Sequence, residues 1–349
     1  MRYRLLGPTG LRVSELCLGT MTFGTDWGWG TDADGAAEIV QRYLDAGGNF
    51  VDTANLYQET TTEQIVGEIL EADRERIVLA TKFTLTPHQS MTGDPNAAGM
   101  HRKSLMRAVG DSLDRLRTDY LDLLWVHAWD ELTPIAETMR GLDDLVRQGI
   151  VHYVGVSDWP AWAVAEANAL AEARGWTPFA AVQVEYSLIE RTVEREIIPY
   201  ARHAGLSVTP WGPLGGGVLT GKYLDDGPGG RLSDKAPQRA QRNLDIAREV
   251  VAVAEEADLT PAQVAIAWLR AQGDDIIPIL GASTLSQLED NLGVLDVQLS
   301  HAQLHRLDAV SHISLGFPGD FLARESVRPR IYAGTRSQID ASRESPAHP

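Results

Sequence analysis

Phe50-Val51-Asp52-Thr53-Ala54-Asn55-Leu56-Tyr57 is the stretch on which the reading of this chain turns. Residues 49–51 have the character of a short buried strand, Asp52 stands where that strand ends, and Tyr57 follows on the loop that leaves it. An aspartate before a turn is, alone, an ordinary turn former. Two later runs change its meaning. Residues 77–81 lead straight into Lys82, and residues 121–126 lead straight into His127. Three successive strand ends thus deliver Asp, Lys and His, with a tyrosine on the first loop. Those are the residue types of a proton-transfer site.

Outward from that stretch, short apolar runs alternate with helical ones. A turn at Gly7-Pro8-Thr9-Gly10 joins residues 3–6 and 11–14 into an opening hairpin, and a strand at 15–19 leads to a loop bearing Trp27 and Trp29. Asp34 is expected to cap a helix that Gly47-Gly48 ends. Further strands are expected at 151–156, 179–184, 206–209 and 276–280. Helices are expected at 62–71, 102–116, 134–148, 160–174, 193–203, 241–257, 261–271, 285–293 and 302–310. Short apolar runs each followed by a helix, mostly about 30 residues apart, predict an α/β fold: a (β/α)8 TIM barrel with an N-terminal β-hairpin and a long loop after strand 7. A doubly wound sheet would carry a glycine fingerprint after its first strand, and Gly19-Thr20-Met21-Thr22-Phe23-Gly24 lacks that spacing. The barrel is expected over 1–331 as one domain. The polar residues 332–349, rich in Arg, Ser and Pro, read as a disordered tail.

The 349 residues are 44% hydrophobic and 23% charged, the balance of an ordinary globular protein. Forty-eight acidic against 31 basic residues give a net charge of −17, with no basic cluster to offset it, which argues against nucleic acid and anionic membranes as partners. Cys17 is the only cysteine, so no internal disulfide forms. The N-terminus lacks the apolar run of a signal peptide and no stretch approaches a membrane span, so the expected setting is cytoplasmic and the expected partner a small molecule. No metal site is expected, and the pattern leaves monomer and homo-oligomer open.

Several motifs in order carry a resemblance. They are Phe50-Val51-Asp52-Thr53-Ala54 with Tyr57; Thr81-Lys82; Thr118-Asp119-Tyr120-Leu121-Asp122-Leu123 ahead of His127; Gly155-Val156-Ser157; Gln183-Val184-Glu185-Tyr186-Ser187; and Gly281-Ala282-Ser283 ahead of Asn291. The chain resembles the aldo-keto reductase family from residue 1 to about 312, nearer the branch of bacterial reductases and potassium-channel β subunits, to which Trp211 and Gly281-Ala282-Ser283 point. The resemblance implies NADP(H) and hydride transfer to an aldehyde or ketone, or from the corresponding alcohol. Tyr57 would then be the general acid, its proton loosened by the Lys82 ammonium, with Asp52 holding Lys82 and His127 hydrogen-bonded to the carbonyl oxygen.

The resemblance also implies where the cofactor lies. Thr20 and Met21, beside Asp52, would meet the nicotinamide half, Ser157 and Gln183 would hold its carboxamide, and Trp211 would stack on its ring. Gly212, Pro213, Leu214, Gly215 and Gly216, followed by Lys222, would let backbone approach the pyrophosphate. Gly281, Ser283, Gln287, Asp290 and Asn291 fall at the adenosine end. Ser283 stands where many members carry Arg or Lys for the 2′-phosphate, and Arg231 lies at the spacing from which channel β subunits supply that charge. Asp158 stands where Asn is common. Trp27, Trp29, Trp129 and the loop 84–100 are candidate pocket walls. Two other readings remain: a sugar or secondary-alcohol dehydrogenase working in the oxidising direction, and a cofactor-sensing regulatory subunit. His127 favours an enzyme, since channel β subunits carry Asn there.

Overall fold

The computed structural model describes residues 1–224 and 232–339. Arg231 and residues 340–349 of the expected tail lie outside the described residues.

A hairpin of β1 (Tyr3–Leu5) and β2 (Arg12–Ser14) opens the chain, pairing Tyr3 with Ser14. Eight parallel strands follow: β3 (Cys17–Gly19), β4 (Phe50–Asp52), β5 (Val78–Phe83), β6 (Leu121–Val126), β7 (Val151–Ser157), β8 (Ala181–Glu185), β9 (Ser207–Trp211) and β10 (Ile279–Gly281). They are ordered β10-β3-β4-β5-β6-β7-β8-β9. Val208 N–H donates to Asp275 O at 2.8 Å, and Ile277 N–H donates back to Val208 O at 2.8 Å, which brings β9 against the segment entering β10 and closes the barrel. Around it lie α1 (Ala33–Asp45), α2 (Thr61–Leu70), α3 (Arg102–Leu116), α4 (Ile135–Arg147), α5 (Ala161–Arg174), α6 (Ile197–Ala204), α7 (Gln241–Ala257), α8 (Pro261–Ala271), α9 (Leu285–Leu292) and α10 (His301–Ser311). The expected TIM barrel and its N-terminal hairpin are both present.

Strand residues are apolar on both faces because helices cover the outside and side chains fill the inside. Val51, Leu79, Leu124 and Val182 face the helices, whereas Phe50, Val78, Ala80, Leu123, Trp125 and Ala181 fill the barrel interior. Leu6 and Val13 of the hairpin join that interior and plug its floor. Gly155 makes room for the Trp125 ring, since a Cβ there would lie 2.4 Å from it. The two-residue period of a strand then decides the chemistry. Asp52 follows Phe50, Lys82 follows Ala80, His127 follows Trp125 and Gln183 follows Ala181, so all four inherit the inward direction at the upper rim.

Some boundaries differ from the sequence reading. Asp32, not Asp34, caps α1, its carboxylate accepting Gly35 N–H at 3.0 Å. Lys82 lies within β5 rather than after it. The expected helix 193–203 is a 3-10 turn, Thr192–Arg195, that breaks at Glu196 before α6. The last strand is shorter than expected because Pro278 has no N–H for the ladder and contributes only its carbonyl, to Cys17 N–H. Among the described residues, no helix is long and apolar enough to cross a membrane.

Candidate active site

Lys82 is completely buried at the top of β5. Its ammonium donates to the Asp52 carboxylate, to Thr53 O at 2.8 Å and to the Tyr57 hydroxyl at 3.1 Å, which uses all three of its hydrogens. The second Asp52 oxygen accepts from Gln183 Nε2 at 3.0 Å. Burial alone would lower the ammonium's pKa, but Asp52 and then Tyr57 outweigh it, and the group is held above its ordinary value. Lys82 is therefore a fixed positive charge.

Burial raises the Tyr57 phenol. Lys82 pulls it back down, Asp52 opposes that pull, and the balance stays above the ordinary value. The expected effect of Lys82 is present in sign, yet it works against burial and does not overcome it. The His127 ring stands edge-on to Tyr57, centroids 6.2 Å apart. Burial, with the Lys82 charge adding to it, drives the imidazole down to about 3, so it is neutral at neutral pH. Among the described residues its buried Nδ1 has no hydrogen-bond partner, nor do Thr53 Oγ1 and Asn55 Oδ1 on the segment between Asp52 and Tyr57. Buried polar atoms without partners are rare in a closed core, and three of them gather here beside Lys82 and Tyr57.

Tyr57 opens a turn of unusual backbone: Gln58, Glu59 and Thr60 have φ of 47°, 54° and 83°. Trp27 packs edge-on to Tyr57 at 6.4 Å and against Trp29 at 5.6 Å. The loop 84–100 reaches the same turn, with Gln89 N–H donating to Glu59 Oε2 at 2.9 Å. Trp129 does not join this wall. It packs on Trp159 at 4.8 Å and Trp162 at 5.5 Å, and with Asp158, Glu185 and Trp211 it borders a cleft of about 530 Å³ on the opposite flank.

The expected cofactor residues are spread along the rim from β3 to β10. Thr20 is buried, with its hydroxyl and N–H both on Asp52 O at 2.9 and 3.0 Å, and Ser157 is buried at the end of β7. Trp211 ends β9, and its Nε1 donates to Asp158 Oδ1 at 3.1 Å. Asp158 is open to the cleft by surface area, yet the walls around it desolvate its carboxyl enough to raise it. Gly212, Gly215, Gly216 and Gly217 all have positive φ, and a Cβ on Gly217 would fall 2.6 Å from Lys222 Nζ. The ammonium thus lies close over Gly217, at the end of this glycine-rich turn. Such a turn suits a pyrophosphate, and with Trp211, Ser157 and Gln183 the residues present fit an extended dinucleotide.

At the far end, Ser283 N–H and Oγ both donate to Gln287 Oε1, at 2.9 and 3.1 Å. Asp290 accepts from Thr260 Oγ1 at 2.8 Å, and Asn291 is buried with its amide on Gly281 O at 3.3 Å. These last two tie α9 to its neighbours and support the loop from behind.

Sequence reasoning paired Asp52 only with Lys82 and overlooked that Gln183 anchors it; the shared inward parity of β4 and β8 was the available signal. It also passed over Gln58, which no apolar period could single out.

The model of the Aldo/keto reductase family matches residues 15–312. A norsolorinic acid reductase of Emericella nidulans is 38% identical over 333 residues, covering 92% of this chain and 84% of that protein. An aryl-alcohol dehydrogenase (NADP(+)) of Phanerodontia chrysosporium is 37% identical over 337 residues, covering 91% and 88%.

Proposed function

Because the chain belongs to the aldo/keto reductase family, we propose that it is an NADP(H)-dependent oxidoreductase that reduces an aldehyde or ketone to the alcohol, with Tyr57 as general acid. The observation that carries this reading is Lys82, whose buried ammonium is bonded to Asp52 and to the Tyr57 hydroxyl at once.

When bound, NADPH supplies the hydride for the carbonyl carbon. The chain's own work is the other half of the reaction, a proton for the carbonyl oxygen. Tyr57 gives that proton, and Lys82 stabilises the phenolate left behind. Asp52, itself held by Gln183, keeps Lys82 charged and aimed. His127, neutral at working pH, offers an N–H to the carbonyl oxygen and fixes its direction. Ser157 and Trp211 would seat the nicotinamide, and Lys222 with the glycine-rich turn the pyrophosphate. A relative named for NADP(+) supports the choice of cofactor.

A second reading uses the same residues in reverse, with Tyr57 as base for an alcohol. Relatives named aryl-alcohol dehydrogenase favour it, and favour aromatic substrates in either direction. A regulatory subunit is disfavoured by the complete set of four with His127 in place. Initial rates with NADPH and NADH against aldehydes and ketones, alongside NADP+ with alcohols, test the reading. Turnover of a carbonyl with NADPH is the expected result. No turnover in either direction overturns it.

A further inference from the structure

Gln58 is buried, follows the general acid directly, and adopts a left-handed backbone that glycine would take without strain. With Glu59 and Thr60 it makes three consecutive non-glycine residues at positive φ. Each such residue is strained and persists only where its surroundings hold it.

What holds Gln58 is its side chain. Oε1 accepts Trp27 N–H at 2.8 Å, while Nε2 donates to Met21 O and to Trp29 O, both at 3.2 Å. The loop is wound around that one amide. Gly24 N–H donates to Thr31 O at 2.7 Å and Thr31 N–H to Thr22 O at 2.8 Å, closing the loop on itself. A Cβ on Gly24 would sit 2.9 Å from the Gln58 side chain, and one on Gly30 2.1 Å from Gly24 O. Two glycines therefore let the loop fold tightly around Gln58. Its products are Trp27, edge-on to Tyr57, and Trp29 against Trp27.

We propose that Gln58 is the positioning residue that fixes Trp27 and Trp29, their rings tilted 50° to one another, as a preformed aromatic wall beside Tyr57, and thereby selects carbonyl substrates that carry an aromatic ring. This rests on the carbonyl-reductase reading of the same site. An aromatic ring gains by lying against a wall already in place, because no loop has to be ordered when it binds. A short aliphatic aldehyde has nothing to lay there and depends only on Tyr57 and His127.

Gln58→Gly is the test, because it relieves the backbone strain while removing the tie. The variant is expected to melt within a few degrees of wild type. Its KM for an aromatic aldehyde rises about tenfold with kcat changed less, while KM for a short aliphatic aldehyde moves by less than about twofold. Adding Gln58→Gly to Trp27→Ala should then cost clearly less than the sum of the two single changes for the aromatic substrate, since both act through one wall. Equal changes for both aldehydes, no change for either, or full additivity with Trp27→Ala overturns the proposal. A wild type inactive on both aldehydes sinks the reductase reading instead. The Kd of an aromatic alcohol, measured by thermal shift on wild type and variants, then judges Gln58 by itself. Should the glycine variant not fold, Gln58→Glu keeps the bond from Trp27 N–H but loses both donations, and it must show the same aromatic-only rise.

Discussion

The rim of this barrel has two unlike sides. On β4–β6, Asp52, Lys82 and His127 stand on or directly after strands, and Lys82 has every hydrogen engaged within the chain. On the side running from β7 to β10, the groups that would meet the dinucleotide lie at strand ends and on loops, several of them bonded to one another: Trp211 to Asp158, Ser283 to Gln287. The difference is physical. A proton transfer needs its donor held within a fraction of an ångström, and Tyr57, on the turn after β4, is held by Lys82, which stands on a strand. A cofactor that enters and leaves needs contacts that can be exchanged, and a loop that trades one hydrogen bond for another loses little free energy in doing so.

The largest effect is expected where chemistry is removed and binding is left. Tyr57→Phe keeps the ring against Trp27 and His127 but takes away the proton. The expected outcome is a fall of about 10²–10⁴-fold in turnover, the usual range for general acid catalysis, with NADPH affinity unchanged by titration. Near-native turnover would show that the rigid side is scaffold only.

Lys82→Met acts on the same side through the proton's affinity. The ammonium opposes the rise that burial imposes on Tyr57, so its loss leaves the phenol higher still. Reduction needs Tyr57 protonated, hence the alkaline limb of the pH–rate profile should move upward while the plateau rate falls. His127 contributes no limb near neutrality, because at about 3 it carries no proton to lose there. An alkaline limb that stays in place would separate Tyr57 from Lys82.

Arg231→Ala addresses the other side, at a smaller expected effect. The 2′-phosphate carries close to two negative charges, and Ser283 has already committed its hydroxyl to Gln287. If Arg231 supplies the fork that pairs with that phosphate, its loss weakens NADPH by about tenfold to a hundredfold and leaves NADH alone. Equal losses for both cofactors, measured by titration, would remove it from that role.

How much of this was legible in the sequence follows the same division. Strand periodicity is a rule of covalent geometry, so a strand ending in Asp52, Lys82 or His127 announces both the fold and the direction of the side chain. Helix bodies such as 102–116 were readable to the residue. The misses were local: Asp32 against Asp34 is a choice between two good caps two residues apart, decided by which carboxylate reaches Gly35 N–H. The break at Glu196 lies beside Arg191, which is buried with Glu194 and also reaches Asp308 and Ser311 of α10, a tertiary contact no local pattern contains. Gln58 was illegible for a deeper reason. Its left-handed backbone contradicts residue preference, and only the loop wound around its amide explains it. Trp129 shares a barrel face with Trp27 and Trp29 and borders a cleft there, but its neighbours are Trp159 and Trp162, a choice that only tertiary packing sets.

The smallest expected effect has the opposite sign, a gain in binding. Asp158 is an acid on the exchangeable side, in a chain already at −17, where a dinucleotide of several negative charges would come to rest. Its carboxyl is raised by partial burial, so part of its surroundings already disfavours the charge. Asp158→Asn keeps an oxygen to accept Trp211 Nε1 and removes only the charge. Single exposed charges change binding by about 0.2–1 kcal/mol, so both NADPH and NADH should bind a few-fold more tightly. The gain should be equal for the two, since they differ at the far, adenosine end, and it should shrink with added salt. Weaker binding of both would mean that the carboxylate itself, through Trp211, builds the seat for the ring. The side from β7 to β10 would then be as preorganised as the side from β4 to β6.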